Sequence, residues 1–344
     1  MGTISQSISK LFRTSGKRAK QSFVLPEGLC RRFSLAEIKK ATNDFDADLV
    51  IGDTGFGTIY EGFIDDCTIK VAIKKPKITD QYFQEKFGAE VVLLCQLRHH
   101  NLVNLIGYCI DEPNTILVYE FMANGSLLKH LSRDQDNPLP WKRRLEICIG
   151  VARGLHYLHT GVKHLIINRD LKSSNILLDK NWEAKLSDFG ACKIGPPSLS
   201  KALIKIDSLV QGTLGYMDPA YLHTSQPTDK SDVYNFGVVL FEVLYARRLL
   251  DFGVEEEQRN LVVWALKCVE DGTINERIDP YLKGKIAPEC FKIYMNIATS
   301  CLRVDDMERP TIGEVEVGLE HALELKECAD AAIRKDGVDS GSDH

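Results

Sequence analysis

The segment NRDLKSSN (168–175), followed by DFG (188–190), places a carboxylate, an ammonium and two further oxygen donors on two neighbouring loops. Asp170 is placed to accept a proton from a hydroxyl, and Lys172 can neutralise charge on a transferring phosphoryl group. Asn175 and Asp188 are the hard oxygen ligands that magnesium requires on the phosphates of ATP. An isolated DFG occurs in many unrelated chains and carries little weight. Its value here depends on what surrounds it.

Upstream stands VAIK (71–74) and downstream GTLGYMDP (212–219), in the order and rough spacing of a protein kinase. IGDTGFGTIY (51–60) reads as strand, turn and strand. In it Gly52, Gly55 and Gly57 let backbone amides approach phosphate, because no Cβ intervenes. Alone, such a hairpin is only a hairpin; with Lys74 one strand later it gains a partner. Lys74 offers an ammonium to the α- and β-phosphates, and Glu90 on the following helix is the expected ion-pair partner that holds it. The plain alternative for Glu90 is a solvated helix face.

The rest of the pattern sets the fold class. GTIYEGF (57–63), TIKVAIKK (68–75), NLVNLIGYC (101–109) and NTILVYEF (114–121) read as strands. Between them QYFQEKFGAEVVLLCQL (81–97) has helical spacing at Phe83, Phe87, Val91 and Leu94. After Met122 the pattern turns helical, most clearly in 141–159, 231–244, 260–272 and 311–327, with Pro140 and Pro310 near two helix starts. The expectation is α+β: a bilobal protein-kinase fold, with a small β-rich N-lobe carrying one main helix and a larger, mainly helical C-lobe. The N-lobe with an extension helix spans 33–121, that helix announced by the capping-box spacing of Ser34 and Glu37. The C-lobe spans 122–328. Residues 1–32 form a flexible basic tail, and 329–344 a polar, disordered one.

Bulk properties narrow the partners. A formal net charge of −5 argues against nucleic acid, and the length of 344 residues suits two packed lobes. No run reaches the eighteen or so apolar residues that span a bilayer, nor is there a signal-peptide core, so a cytoplasmic location is expected. The basic N-terminal stretch and Gly2 after Met1 suggest peripheral contact with the plasma membrane. Gln6, however, stands where a myristoylation pattern wants Ser or Thr. The ten cysteines are scattered without any C-x-x-C, so neither a zinc site nor a disulfide framework is expected. Cys192, beside DFG, is the candidate for a thiol near nucleotide, against a plain buried role.

Between DFG and MDP lie the activation-segment candidates Ser198, Ser200, Ser208 and Thr213. A phosphate there could pair with Arg169, and Thr213 reads as a substrate-side hydroxyl bonding Asp170 and Lys172. Each serine has the alternative of being a simple loop residue. Two serines between Lys172 and Asn175 follow the serine/threonine pattern, whereas tyrosine kinases usually carry an alanine-containing segment there.

On FSLAEIKKATNDF, RHHNLVNLIGYC, PLPWKRRLEICIGVARGLHYLHTG, GTLGYMDPAY, KSDVYNFGVVLFEVL and LKGKIAPEC, the chain resembles plant receptor-like kinases of the Pelle class over about 32–325. It looks especially like FERONIA-type receptor kinase domains and Pto-type cytoplasmic kinases. The resemblance implies ATP and Mg2+ as cofactors, and protein Ser/Thr hydroxyls as substrates. It implies a nucleotide site formed by Ile51, Gly52, Asp53, Thr54, Gly55, Phe56, Gly57, Ile59, Ala72, Lys74, Glu120, Met122 and Leu177. With no ectodomain or membrane span in the chain, receptor-like cytoplasmic kinases are the nearer functional likeness. A receptor kinase or immune receptor is then the implied partner, in membrane-proximal signalling in immunity or growth.

Three departures bear on activity. Thr54 replaces a loop glycine. Asn168 replaces the histidine of HRD, which is expected to weaken the packing beneath the DFG phenylalanine. Ala220 replaces the glutamate of DPE, which is expected to leave Arg309 without its buried carboxylate. The alternative function is a catalytically weak scaffold that binds nucleotide and a receptor, immune receptor or pathogen effector.

Overall fold

The computed structural model describes residues 30–53, 57–77, 81–111, 114–132, 136–197 and 210–339. Its smaller lobe is one six-stranded sheet in the order β1-β5-β6-β4-β3-β2. The strands are β1 (Arg31–Arg32), β2 (Val50–Asp53), β3 (Gly57–Ile64), β4 (Ile69–Pro76), β5 (Leu105–Asp111) and β6 (Asn114–Glu120). Two helices complete it: α1 (Leu35–Ala41) and α2 (Gln81–Leu94). Val71 and Ile73 are buried on one face of β4, while Lys70, Ala72 and Lys74 point to the other. The Val71 and Ile73 face packs with Phe33, Ile38 and Ala41 of the N-terminal extension in one core cluster.

The extension is set by local chemistry. Ser34 and Glu37 form the expected capping box at α1, with Ser34 N donating to Glu37 Oε2 at 2.7 Å and Glu37 N to Ser34 Oγ at 3.2 Å. Before it, β1 pairs parallel with β5, Arg31 facing Gly107 and Arg32 facing Tyr108. Only glycine fits at 107, because a Cβ there would lie 2.2 Å from the Arg31 carbonyl oxygen.

The larger lobe contains α3 (Trp141–Thr160), α4 (Pro219–Thr224), α5 (Asp229–Tyr245), α6 (Leu261–Glu270), α7 (Ile274–Arg277), α8 (Pro288–Cys301) and α9 (Ile312–Asp339). Short strands β7 (Gly125–Ser126), β9 (Ile176–Leu178) and β10 (Ala184–Leu186) form one sheet, and β8 (His164–Ile167) pairs with β11 (Lys193–Pro197). Helix α5 is buried from Phe236 to Tyr245 and apolar there except at Glu242, as befits the axis of a lobe. Each fully buried Val, Leu or Phe there contributes about 1.5–3 kcal/mol.

Five expectations need correction. Residues 101–104 are not strand. Their backbone pairs with the C-lobe instead: Val103 N donates to Leu186 O and Leu186 N to Asn101 O, both at 2.9 Å. Asn101 Nδ2 also reaches Ala184 O at 2.9 Å. The close approach depends on Gly154 of α3, where a Cβ would lie 2.9 Å from Asn101 O. Second, the N-terminal tail ends earlier than 32, because Arg31 and Arg32 belong to the sheet. Third, the polar C-terminal stretch is helical to Asp339, its alanines favouring helix and Lys326 pairing with Asp330 one turn on. Fourth, Cys30 and Cys95 are joined by a disulfide across 65 residues, with Cα atoms 5.9 Å apart. Spacing could not reveal it, because the sheet edge and the end of α2 meet only in the folded chain.

Fifth, Arg309 is not orphaned by Ala220. Its Nη2 lies 2.8 Å from Asp218 Oδ1, both side chains being buried, and its other N–H groups donate to the carbonyls of Arg303 and Lys230. Asp218 Oδ2 in turn accepts from Ser231 Oγ at 2.9 Å. Asp218→Ala, which strands a buried guanidinium, is expected to cost about 3–5 kcal/mol in chemical denaturation. Ala220→Glu is expected to change stability by less than about 1 kcal/mol. Equal effects of the two changes would contradict this pairing.

Helix α5 also carries a buried acid. Burial pushes the Glu242 carboxyl up to about 7, although the Leu249 amide donates to Oε1 at 3.1 Å. A carboxyl raised from 4.5 to about 7 on folding binds its proton more tightly in the folded state, so stability falls as pH rises between those values. Chemical denaturation from pH 4.5 to 7.5 should show a loss on the order of 3 kcal/mol from this group. Glu242→Gln should flatten that slope, and an unchanged slope would assign it elsewhere.

Candidate active site

Lys74 lies in the middle of the N-lobe sheet, opposite Ile59 on β3 and Leu117 on β6. Its Nζ lies 3.0 Å from Asp188 Oδ1 and 3.6 Å from Glu90 Oε2. Burial alone would lower the lysine pKa. Asp188 and Glu90 outweigh it, so the pKa is raised and the ammonium is retained. Glu90 is buried on α2, not on a solvated face. It also has a partner that sequence reading missed: Tyr119 Oη donates to Glu90 Oε1 at 2.5 Å. Burial, then Glu90, raises the Tyr119 phenol well above its ordinary value, so it remains a donor. Alternation along 114–121 could have put Tyr119 on the same face as Leu117, but not opposite an acid on another element.

Asp188 has a left-handed backbone, φ +62° and ψ +68°, immediately before a 3-10 turn at Phe189–Ala191. Phe189 is buried in the main core together with Leu94 of α2 and Leu105 of β5. Arg169 is the second left-handed residue of the site, with φ +67°. Such a conformation costs a non-glycine residue roughly 1–2 kcal/mol and persists only where its surroundings fix it. They do. Asp232 of α5, fully buried, accepts from Arg169 N at 2.9 Å and from Asn168 N at 2.8 Å. His159 Nε2 lies 2.8 Å from the same carboxylate. The acid was legible in SDVYNFG, where an Asp opens an apolar helix, but that position alone reads as a helix-dipole residue.

Asn168 has hydrogen-bond partners of its own. It is buried, its Oδ1 accepts from Asp170 N at 3.1 Å, and its Nδ2 lies 3.9 Å from Cys192 Sγ. Burial raises the Cys192 thiol well above its ordinary range, which disfavours a reactive thiolate.

Asp170 is the meeting point of the loop. Its Oδ1 accepts from Thr213 Oγ1 at 2.6 Å, and its Oδ2 from Lys172 Nζ at 3.0 Å and Asn175 Nδ2 at 3.2 Å. Lys172 Nζ also lies 2.7 Å from Thr213 Oγ1. Asn175 donates again to the Asp170 carbonyl at 2.9 Å, which fixes its amide. Magnesium needs only one or two protein ligands beside substrate phosphates, and its ligands must be hard oxygens. The Asp188 carboxylate, partly exposed, and the Asn175 carboxamide oxygen meet that requirement. Among the described residues no cluster of three or more His, Cys, Asp or Glu could hold a metal by itself, so a cation here would depend on ligands from the nucleotide.

The other expected nucleotide residues that are described lie on β2, β3, β4, β6 and β9 and just after β6. Gly52 and Asp53 pair with Ile59 and Thr58 across the hairpin, and Gly57 faces Pro76. Ile51 is exposed on β2. Asp53 is exposed and tied to Lys77 at 2.7 Å. Ala72 faces Tyr119, Met122 is buried, and Leu177 pairs with Ser126. Glu120 uses its carboxylate on Asn104 N at 2.8 Å and Lys185 at 3.4 Å. Thr54, Gly55, Phe56, Ser198, Ser200 and Ser208 lie outside the described residues. Thr213 is the one activation-segment candidate within them.

Known proteins carry the same pattern. A family profile described as protein tyrosine and serine/threonine kinase matches residues 45–319. The receptor-like protein kinase FERONIA of Arabidopsis thaliana is 51% identical over 306 residues, covering 89% of this chain and 34% of FERONIA. ANXUR2 and ANXUR1, receptor-like protein kinases of the same plant, are 50% and 49% identical over 317 and 318 residues. These matches cover 92% of this chain in each case, and 36% and 37% of the two relatives. The chain thus spans about a third of the length of these curated relatives. Motif order, a two-lobed architecture and this extent of identity make the chain a member of the protein tyrosine and serine/threonine kinase family, in its plant receptor-like branch.

Proposed function

We propose that the chain is an ATP- and Mg2+-dependent serine/threonine protein kinase acting in signalling close to the plasma membrane. The observation that carries this is the aliphatic hydroxyl of Thr213, donated to Asp170 at 2.6 Å with Lys172 beside it. A substrate serine or threonine offers the same group to the same carboxylate. Asp170 accepts the hydroxyl proton as the oxygen bonds to the γ-phosphorus, and the bond from that phosphorus to the bridging oxygen breaks to release ADP. Lys172 balances charge on the phosphoryl group in flight, and Lys74, held by Glu90, orients the α- and β-phosphates. Asn175 and Asp188 would hold the cation, which supplies charge neutralisation on the phosphates when bound. Ser198, Ser200 and Ser208 are proposed as autophosphorylation sites.

The membrane-proximal role is supported by the basic N-terminal stretch and by relatives named receptor-like kinases. No helix among the described residues is long and apolar enough to cross a membrane. Acylation of Gly2, or the basic stretch itself, would supply contact with the cytoplasmic leaflet, and a receptor kinase or immune receptor would be the partner. The rival reading, a weak scaffold, draws on Asn168. The bond from Asp170 N to the Asn168 carboxamide favours an ordered proton acceptor and hence turnover.

With purified protein, magnesium and labelled ATP, phosphate is expected on Ser or Thr. Asp170→Asn and Lys74→Met are expected to lower the rate by about 10²-fold or more. Equal labelling of wild type and both variants, or label mainly on tyrosine, would falsify the assignment; tight nucleotide binding without turnover in the wild type would favour the scaffold. Separately, Asn168→Ala removes a neutral hydrogen bond worth about 1 kcal/mol, so kcat should fall roughly fivefold with nucleotide affinity unchanged. A loss confined to affinity would contradict a positioning role for Asn168.

A further inference from the structure

Among the eight free cysteines five are sealed, Cys192 is partly buried, and Cys67 and Cys328 are exposed. Cys109, Cys148, Cys268, Cys290 and Cys301 are buried, and burial pushes the thiols of Cys148 and Cys301 up to about 12, which keeps them protonated and unreactive. Cys30 and Cys95 differ because they are already bonded to one another, and because of what they join. Cys30 is only half-buried and precedes β1, the edge strand of the N-lobe sheet. That strand is two residues long, and its ladder is continued by Phe33 N donating to Tyr108 O at 2.8 Å. The ion pairs of Arg31 with Asp65 and Glu37 are exposed and of little weight. Cys95 is buried at the other end of the bond, and its N–H donates to Val91 O at 2.9 Å, closing the last turn of α2. Five residues earlier on that helix is Glu90.

We propose that Cys30 and Cys95 form a reversible thiol–disulfide exchange site for low-molecular-weight thiols of the glutathione class. In the oxidised state it fastens β1 to the end of α2. Cys30, half-buried where Cys95 is buried, is the point of attack. An incoming thiolate bonds to it, the S–S bond breaks, and Cys95 leaves as a thiolate that takes up a proton. A second small thiol then attacks the mixed disulfide and releases Cys30. In sum, two small thiols become one small disulfide, and the protein bond gains two electrons and two protons. Opening leaves the two-residue strand with its few hydrogen bonds and removes the outer tether from the turn that closes α2. The inference rests on the bond and its position, not on the proposed kinase activity, and its readouts are structural.

The test uses the full chain equilibrated in glutathione buffers of graded thiol-to-disulfide ratio, then acid-quenched, alkylated and mapped by peptide mass spectrometry. Cys30 and Cys95 should become alkylated together in one two-electron transition. Hydrogen exchange on the same samples should show the Phe33 and Cys95 amides exchanging at least tenfold faster in the opened form. Cys30→Ser and Cys95→Ser should each match the opened form in every buffer; Cys30→Ser, at the sheet edge, keeps the test available if the buried change disturbs folding. The proposal is overturned if both cysteines are alkylated across the whole range or neither ever is. It is equally overturned if glutathione is found on Cys30 without any bridge, or if opening leaves both exchange rates unchanged.

Discussion

A single buried carboxylate fixes the centre of the molecule. Asp232 receives the main-chain N–H groups of Asn168 and Arg169 and lies beside the His159 ring, at the start of the most deeply buried helix. A charge without water must have every lone pair used, and here the bonds come from the loop whose next residue is Asp170. The requirement to satisfy one acid in the core therefore determines where a second acid stands at the surface of the cleft. The left-handed turn at Arg169 is tolerated because both amides around it are committed to Asp232.

The same economy is seen at two departures from the family pattern. Asn168 loses a ring but gains a carboxamide, whose oxygen takes up the Asp170 amide. Ala220 lacks a carboxylate, yet Asp218 two residues earlier reaches Arg309, and Ser231 takes its second oxygen. In both places the polar groups that would be costly to strand are paired, by neighbours that the motif strings do not single out.

The two lobes and the convergence of Lys74, Glu90, Asp170, Asn175 and Asp188 were legible because they are carried by residue type and order. What sequence could not give is long-range pairing. Tyr119 with Glu90, Asp232 with the catalytic-loop amides, and Cys30 with Cys95 each join residues brought together only by packing. Strand reading failed at 101–104 for the same reason: a short apolar pair running into a strand looks the same whichever lobe its backbone bonds to. The C-terminal helix was expected only to 327, and its extension to Asp339 was missed because polar composition was weighed above alanine content and i,i+4 pairing.

That misread segment also has a mechanical meaning. Between α2 and β5 the chain is stitched to β10 by Val103, Leu186 and Asn101, so the N-lobe is anchored to the C-lobe a second time, beside the end of β6, where Glu120 N donates to Asn104 O at 3.1 Å. A body held at two points cannot tumble freely; it can only turn about the line through both. The two crossings lie side by side and act as a doubled strap, which resists twist between the lobes more than a single strand would.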